Sequence, residues 1–248
     1  MLERKNHERQ SQSSDYDPMT AADGLSAEIS PPRQVVTCAA VIGDVVSSQK
    51  LTAQDLSDAL RPQLSRLNEL LLPLRPLRPT IGDEFQACFG TVSEAAMATL
   101  LIRLSLLDQE QSLDVRFGIG FAPITIFDDP ATPLDQNGQG WWDARKAIEQ
   151  SHALGASRRT PFARTFYLRS ELGPDDAGIN AFFLCRDALV AQMNPRQRRL
   201  LFGLMRGHNH EQLASTEGIA RASVTQNLTA TGAYAVLVGH QALSGEDS

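Results

Sequence analysis

Val35 to Ile42 reads Val-Val-Thr-Cys-Ala-Ala-Val-Ile, an apolar and largely β-branched run with no polar face. A strand of this kind has no side to leave in water, so it is expected at the centre of a sheet covered on both faces. The neighbouring sequence is read around that strand. Thr52 is placed as an N-cap with Asp55 three residues on, opening a helix that carries Leu56, Leu60, Leu64, Leu67, Leu70 and Leu71. Pro62 is expected to kink or split it. A proline-interrupted extended segment from Leu74 to Ile81 follows, and then Phe85, Ala87 and Phe89 alternate with Gln86 and Cys88 as a half-buried strand. Between them Gly82-Asp83-Glu84 reads as a hairpin tip, because glycine adopts backbone angles closed to other residues.

Val92 to Leu107 is read as a second amphipathic helix through Ala95, Ala96, Leu100, Ile102 and Leu106, and Leu113 to Phe121 alternates as a fourth strand. Strand, helix, strand, strand, helix, strand is the order of a ferredoxin-like α/β sandwich. In that topology the first and third strands are central neighbours. Asp44, which follows the first, and Asp83, which precedes the third, are therefore expected to meet at one sheet edge. Two adjacent carboxylates call for a cation, and oxygen ligands favour Mg²⁺ or Mn²⁺, which commonly bridge to phosphates. Gly43-Asp44-Val45-Val46-Ser47-Ser48 is read as a loop whose amides face an anion.

Further along, Asp128 to Gly140 is a turn-rich loop, either a lid or an insertion. Trp141 to Leu154 reads as a helix, with Trp141 and Trp142 as core anchors. Arg164 to Leu168 is a candidate edge strand, and Ala181 to Met193 a connecting helix. Asn194-Pro195 is an N-cap followed by a first-turn proline. Helices over 198–205 and about 210–216, a turn at Gly218-Ile219-Ala220 and a third helix from about Ala222 make a helix-turn-helix pattern. Ser223, Thr225, Gln226 and Thr229 are placed to face a DNA major groove while Val224 and Leu228 pack back, with Arg198, Arg199 and Arg221 toward phosphates. From Asn194 to His240 five arginines stand against two glutamates, a surplus of +3 in a chain whose net charge is -6. The other reading of these helices is dimerisation or packing.

The 248 residues, 42% of them hydrophobic, suffice for one good core and a smaller second domain. The boundaries expected are a disordered polar tail over 1–33, an α/β domain over 34–170, a connecting helix over 171–193, an all-α helix-turn-helix domain over 194–240 and a tail over 241–248. Cys38, Cys88 and Cys185 lack metal-ligand spacing and read as reduced core residues. No signal peptide opens the sequence and no apolar run nears ~18 residues, so a cytoplasmic protein without a membrane span is expected.

The succession Gly43-Asp44-Val45-Val46-Ser47-Ser48, Thr80-Ile81-Gly82-Asp83-Glu84-Phe85, Val115-Arg116-Phe117-Gly118-Ile119-Gly120 and Gly138 to Glu149 (Gly-Gln-Gly-Trp-Trp-Asp-Ala-Arg-Lys-Ala-Ile-Glu) resembles the SatD family over about residues 34 to 240. More distantly, over about 34 to 155, it is similar to the catalytic core of class III nucleotidyl cyclases and diguanylate cyclases. The resemblance implies a cyclase-type sandwich that works as a homodimer. It implies that Asp44 and Asp83 hold the metal, and that Val45, Val46, Ser47 and Ser48 cradle a triphosphate. Gly43, Gly82, Glu84 and Arg145 complete the nucleotide set. Two departures weaken the catalytic half: Pro79 stands where cyclases carry a base-selecting lysine, and Trp141 where they carry an asparagine paired with the arginine. No catalytic residue is assigned. The leading expectation is a regulator of double-stranded DNA with a cyclase-like domain that binds a nucleotide and Mg²⁺. The alternative is an active nucleotidyl cyclase or transferase whose C-terminal helices serve oligomerisation or control. A third is a cyclase-like scaffold without a ligand.

Overall fold

The central strand, β1 (Gln34–Val45), is paired along both edges, antiparallel to β3 (Glu84–Phe89) on one side and to β4 (Val115–Ile126) on the other. The computed structural model describes residues 34–126, 136–170 and 176–245, which belong to one compact unit. The expectations for a tail over 1–33 and for most of the 128–140 loop lie outside the described residues. With β2 (Arg75–Pro79), β5 (Gln136–Gly138) and β6 (Thr165–Leu168), the sheet order is β2-β3-β1-β4-β5, and β6 runs parallel to β4. The first four strands thus stand in the ferredoxin-like order.

β1 is longer than its apolar run. Pairing continues through Gly43, Asp44 and Val45 because both neighbours extend beside it, Asp44 opposing Glu84 and Arg116, and Val45 opposing Val115. Gly43 and Asp44 are therefore strand residues, and the expected loop shortens to the turn after Val45. Gly43 itself is a packing position: a Cβ there would meet the Phe85 ring at 2.3 Å. Phe85 and Phe117, its partners on either strand, stack edge to face with centroids 6.1 Å apart.

One face of the sheet packs Ala39, Val41, Phe85, Phe117 and Ile119 against α1 (Ala53–Leu71) and α2 (Val92–Leu107). The other packs Cys38, Ala40, Ile42 and Cys88 against Trp141, Ala144 and Ile148 of α3 (Gln139–Ala156). α3 lies directly on the β4 backbone, because β4 offers two glycines on that face. A Cβ at Gly118 would come within 2.2 Å of the Ala144 carbonyl oxygen, and one at Gly120 within 2.2 Å of the Gly140 carbonyl oxygen.

α1 continues past Pro62 without the split that was one of the two expected outcomes. Proline deprives the Asp58 carbonyl of its donor, but both residues are exposed, where an unmade bond costs least. α2 is buried all round, including Thr99 and Arg103, where an amphipathic helix was expected. Its second side is covered by the C-terminal helices, for Leu100, Leu101 and Leu104 share a core with Leu200, Leu201, Val224, Leu228 and Val236. Those helices are α4 (Asp176–Gln192), α5 (Pro195–Met205), α6 (His210–Glu217), α7 (Arg221–Ala230) and α8 (Ala233–Ser244). α4 begins five residues before the expected Ala181, and α8 is a helix beyond those the sequence predicts. α5 and α6 both open with capping boxes, Asn194 with Gln197 and Asn209 with Gln212.

The joint around α2 holds a buried ionic network. Arg103 donates to Asp114 at 2.8 Å and approaches Asp187 at 3.5 Å, while Arg164 donates to the second Asp114 oxygen at 2.7 Å. Burial works to raise the Asp114 carboxyl, but Arg103 and Arg164 together hold it below the usual range. Arg186, 1% exposed, donates to the Ala96 carbonyl and the Thr165 hydroxyl and lies over the Phe183 ring.

His240 of α8 stands beside this network, its ring edge-on to Phe182 with centroids 5.1 Å apart. Burial, and then the Arg186 charge, push its pKa down to about 3. An unfolded histidine takes a proton near pH 6.5 and the folded one does not, so stability falls as pH drops below 6.5, by ~1.4 kcal/mol per unit. His240→Gln should therefore lose about 2 kcal/mol less than the parent chain between pH 6.5 and 4.5, as measured by urea unfolding at both values. Equal losses in the two proteins would contradict this.

Candidate functional site

The strand register builds the site. Asp44, Glu84 and Arg116 stand in one row across three strands, at the end of β1. Alternation along β1 puts Asp44 on the same face as Ile42 and Ala40, the side covered by α3. Thr80 to Asp83 turn between β2 and β3, with Gly82 at φ 68°. This tip reaches β1 directly, as the Val45 amide donates to the Asp83 carbonyl at 3.4 Å.

Asp44 and Asp83 thus meet, as the topology argument requires. The Asp44 carboxyl is pushed up to about 6, first by burial, then by the charge of Asp83 and a side-chain hydrogen bond with it. Arg116 opposes this shift, donating to Asp44 at 2.8 Å. Arg116 is 88% buried by its side-chain exposure of 12%, and its Nε has no partner among the described residues. On the far side of the row, Arg145 of α3 grips Glu84 with both terminal nitrogens, at 2.5 and 2.7 Å. The edge is consequently an alternating set of charges, with Asp83 the acid that has no cation of its own among the described residues.

The rest of the expected nucleotide set is distributed around this row. Val45 is buried in the core beneath α1 and α2, and the Val46 amide donates to the Asp114 carbonyl at 2.9 Å. With both valine amides engaged, what remains of the segment expected to face an anion is Ser47, in the left-handed region at φ 61°, and Ser48, which opens a short 3₁₀ turn through Lys50. Among the described residues no three His, Cys, Asp or Glu side chains gather as a metal cluster. Two carboxylates nevertheless fit a hard cation that keeps several waters and takes phosphate oxygens. Arg116 went unassigned from sequence, although Asp114-Val115-Arg116 carries the only signal available: alternating charges at the start of a strand.

The C-terminal candidates divide. On α7, Val224 and Leu228 are buried, Thr225, Gln226 and Thr229 are exposed, and Ser223 is half-buried. Thr225 is hydrogen-bonded to His210 at 3.2 Å, and His210 in turn to the Tyr234 hydroxyl at 2.9 Å. Arg221 is exposed. Arg198 donates to the Met193 carbonyl, and Arg199 clasps Glu217 at 2.8 and 2.7 Å and Asp108 at 3.1 Å. Two of the three arginines expected at phosphates are thus already engaged.

A model of the SatD family matches residues 38–242. No curated protein matches the chain. Partial likenesses to solved structures include a bacterial light-regulated adenylyl cyclase, at 16% identity and a TM-score of 0.39 over 53% of this chain and 43% of that one. The guanylyl cyclase Cya2 is similar at 14% identity and a TM-score of 0.38, over 48% of this chain and 71% of its own. The monomeric guanylyl cyclase domain of the RhoGC fusion protein from the aquatic fungus Blastocladiella emersonii gives 13% and 0.38, over 47% and 77%. The chain therefore spans less than half of the light-regulated cyclase it matches. Among the described residues no helix is long and apolar enough to cross a membrane.

Proposed function

The chain belongs to the SatD family, and we propose that its Asp44–Asp83 edge is a cyclase-type nucleotide site loaded through Mg²⁺ or Mn²⁺. The observation that supports this is the Asp44 carboxyl, held against Asp83 and pushed up to about 6. A carboxyl so placed is one whose charge the protein leaves only partly compensated, and a divalent cation completes the compensation. Asp44 and Asp83 would each give the metal an oxygen. Once bound, such a cation neutralises phosphate charge and polarises the phosphoryl centre.

The chain's own groups bind and orient. Ser47 and Ser48 lie one turn beyond Asp44 and suit phosphate oxygens. Arg145 is 47% exposed, and its fork, which now grips the Glu84 carboxylate, could take a phosphate only by exchanging one for the other. Turnover is less well provided for. Pro79 ends β2 without a side-chain donor, and Trp141 is buried in the α3 core. Calorimetry of the full chain with ATP and GTP, with and without Mg²⁺, followed by product analysis, tests the reading. Binding only in the presence of Mg²⁺, with little cyclic product, is expected. No heat with either nucleotide would overturn it. Rapid cyclisation would instead make the chain an active cyclase, with α5 to α8 as a control or oligomerisation module. Their shared core with α2 favours such an attached module over a freely tethered one.

DNA regulation stands as a second reading, supported by the exposed Gln226 and Thr229 over buried Val224 and Leu228 on α7. Small polar side chains read single base edges, so specificity would need a homodimer on two half-sites of double-stranded DNA. Deleting residues 194–248 would strip Leu100, Leu101 and Leu104 of cover, so substitution is the better probe. Gln226→Ala with Arg221→Ala should weaken binding to a preferred genomic fragment about tenfold at fixed salt. If the parent chain prefers no fragment over random DNA, the four helices are a packing module only.

A further inference from the structure

A cleft of about 440 Å³ opens where α2, the segment leading into β6, the end of α4 and the start of α5 come together. Its size is that of a small-molecule pocket. Leu107 of α2, Pro161 and Phe162 give it apolar walls. Two stretches of sequence supply most of the lining, and both are unusual in this chain. Residues 150–170 and 188–210 hold eight arginines and no acidic residue, although the net charge of the whole is -6. The walls built from them therefore bring no carboxylate to the cleft.

Among the described residues, Arg103, Arg164 and Arg198 line the cleft against one carboxylate, that of Asp114. Arg103 and Arg164 share Asp114, at 2.8 and 2.7 Å. Behind them Asp187 receives Arg103 at 3.5 Å and Arg186 at 3.3 Å. The cluster is thus four arginines against two aspartates, a surplus of +2. A recess lined by one sign of charge focuses its potential on whatever enters. Arg198, half-buried, has no acidic partner among the described residues. It commits its Nε to the Met193 carbonyl at 3.0 Å, which leaves both terminal nitrogens, the fork that suits a phosphate, without a partner there.

We propose that this cleft binds a small phosphate monoester, with its phosphate on the Arg198 fork and its body against Leu107, Pro161 and Phe162. A phosphate monoester carries about -1.5 to -2 at pH 7, which matches the surplus of the cluster. A nucleic-acid backbone has one charge per phosphate and no apolar body to fill such a recess. The ligand would touch α2 of the sandwich together with α4 and α5, so both parts of the chain would sense it. The inference does not depend on the nucleotide reading, because none of Asp44, Asp83, Glu84, Arg116 and Arg145 lines the cleft, and no metal is needed here.

The test is calorimetry on the full chain, in EDTA and at fixed salt, with phenyl phosphate, inorganic phosphate, phenyltrimethylammonium and a random DNA duplex. Saturable one-to-one binding of phenyl phosphate is expected, weaker binding of inorganic phosphate, and none of the ammonium. Arg198→Gln should weaken phenyl phosphate binding at least tenfold. Arg206→Gln makes the same change of charge at an exposed position of the same helix region, outside this cleft, and should leave binding unchanged. Ala191→Trp, at an exposed position in the lining, should exclude the ligand by filling the cleft while every arginine stays. Equal effects of Arg198→Gln and Arg206→Gln, or full binding in Ala191→Trp, would overturn the proposal. So would a chain that ignores phenyl phosphate but binds the duplex through Arg198, for the arginine would then serve nucleic acid. Asp83→Asn should bind phenyl phosphate as the parent does, whether or not it binds nucleotide, which keeps the two sites distinct.

Discussion

Gly118→Ala is expected to destabilise the chain by about 3 kcal/mol or more, the upper part of the range for overpacking a core. One methyl group is added, but it lands on backbone. The Ala144 carbonyl oxygen would lie 2.2 Å from the new Cβ and the Ile148 nitrogen 2.3 Å. A side chain could turn aside from such a clash, whereas α3 must move as a body. Moving it would also unseat Trp141 and Ile148 from the core and carry Arg145 away from Glu84. Against a total stability of ~5–15 kcal/mol, a loss of this size is a large fraction. Denaturant titration should show the midpoint falling steeply. Gly82→Ala serves as the contrast. Nothing lies within 4 Å of its Cβ, and only the positive φ of 68° opposes the substitution, at ~1 kcal/mol. If both variants cost the same, α3 is not docked on β4 as described.

Gly118 and Gly120 illustrate how much could be read from the sequence. Phe117-Gly118-Ile119-Gly120-Phe121 gives a strand by alternation, and gives no hint that a helix backbone rests on its small side. β1 was legible as a central strand from its run without a polar face, but the cover reaches only Cys38 to Ile42; Val35 is 65% exposed and Thr37 is exposed as well. The meeting of Asp44 with Asp83 was legible too, since strand order alone places those two ends together. Long-range ionic pairing was not. Arg103 sits in an apolar stretch, and its partners Asp114 and Asp187 are 11 and 84 residues away. No local pattern announces such a pair. α2 was misjudged for a related reason: its second apolar side is visible in Leu100, Leu101 and Leu104, but what covers it lies a hundred residues downstream. Pro62 was expected to kink or split α1; it does not split the helix, because the bond it removes lies on an exposed face, where leaving it unmade costs little. Gly43 was read for its phosphate-facing backbone, whereas packing of Phe85 over it already excludes any side chain.

The acidic edge gives the other large effect. Asp83→Asn should abolish Mg²⁺-dependent nucleotide binding, a loss of at least about 100-fold if both carboxylates hold the cation. The fold should survive, because Asp83 lies at a hairpin tip and its backbone carbonyl, which takes the Val45 amide, is retained. Stability should even rise slightly. Asp44 has a folded pKa of about 6, above its ordinary value, so it weakens the fold progressively as pH rises from the unfolded value toward 6, and fully above it. Removing the Asp83 charge removes the second-largest cause of that shift while Arg116 stays on Asp44 at 2.8 Å. With solvent screening the gain at pH 7 should be ~0.5–1 kcal/mol. The Asp44 carboxyl, followed by carbon-detected NMR, should then titrate below the parent's value of about 6. In the parent chain, cation affinity should fall as pH drops below about 6, when a proton takes the metal's place on Asp44. A variant that gains stability and loses the ligand marks a charge kept for binding at the expense of the fold. A variant that binds Mg²⁺ and nucleotide as the parent does would show that the cation, if there is one, is held elsewhere.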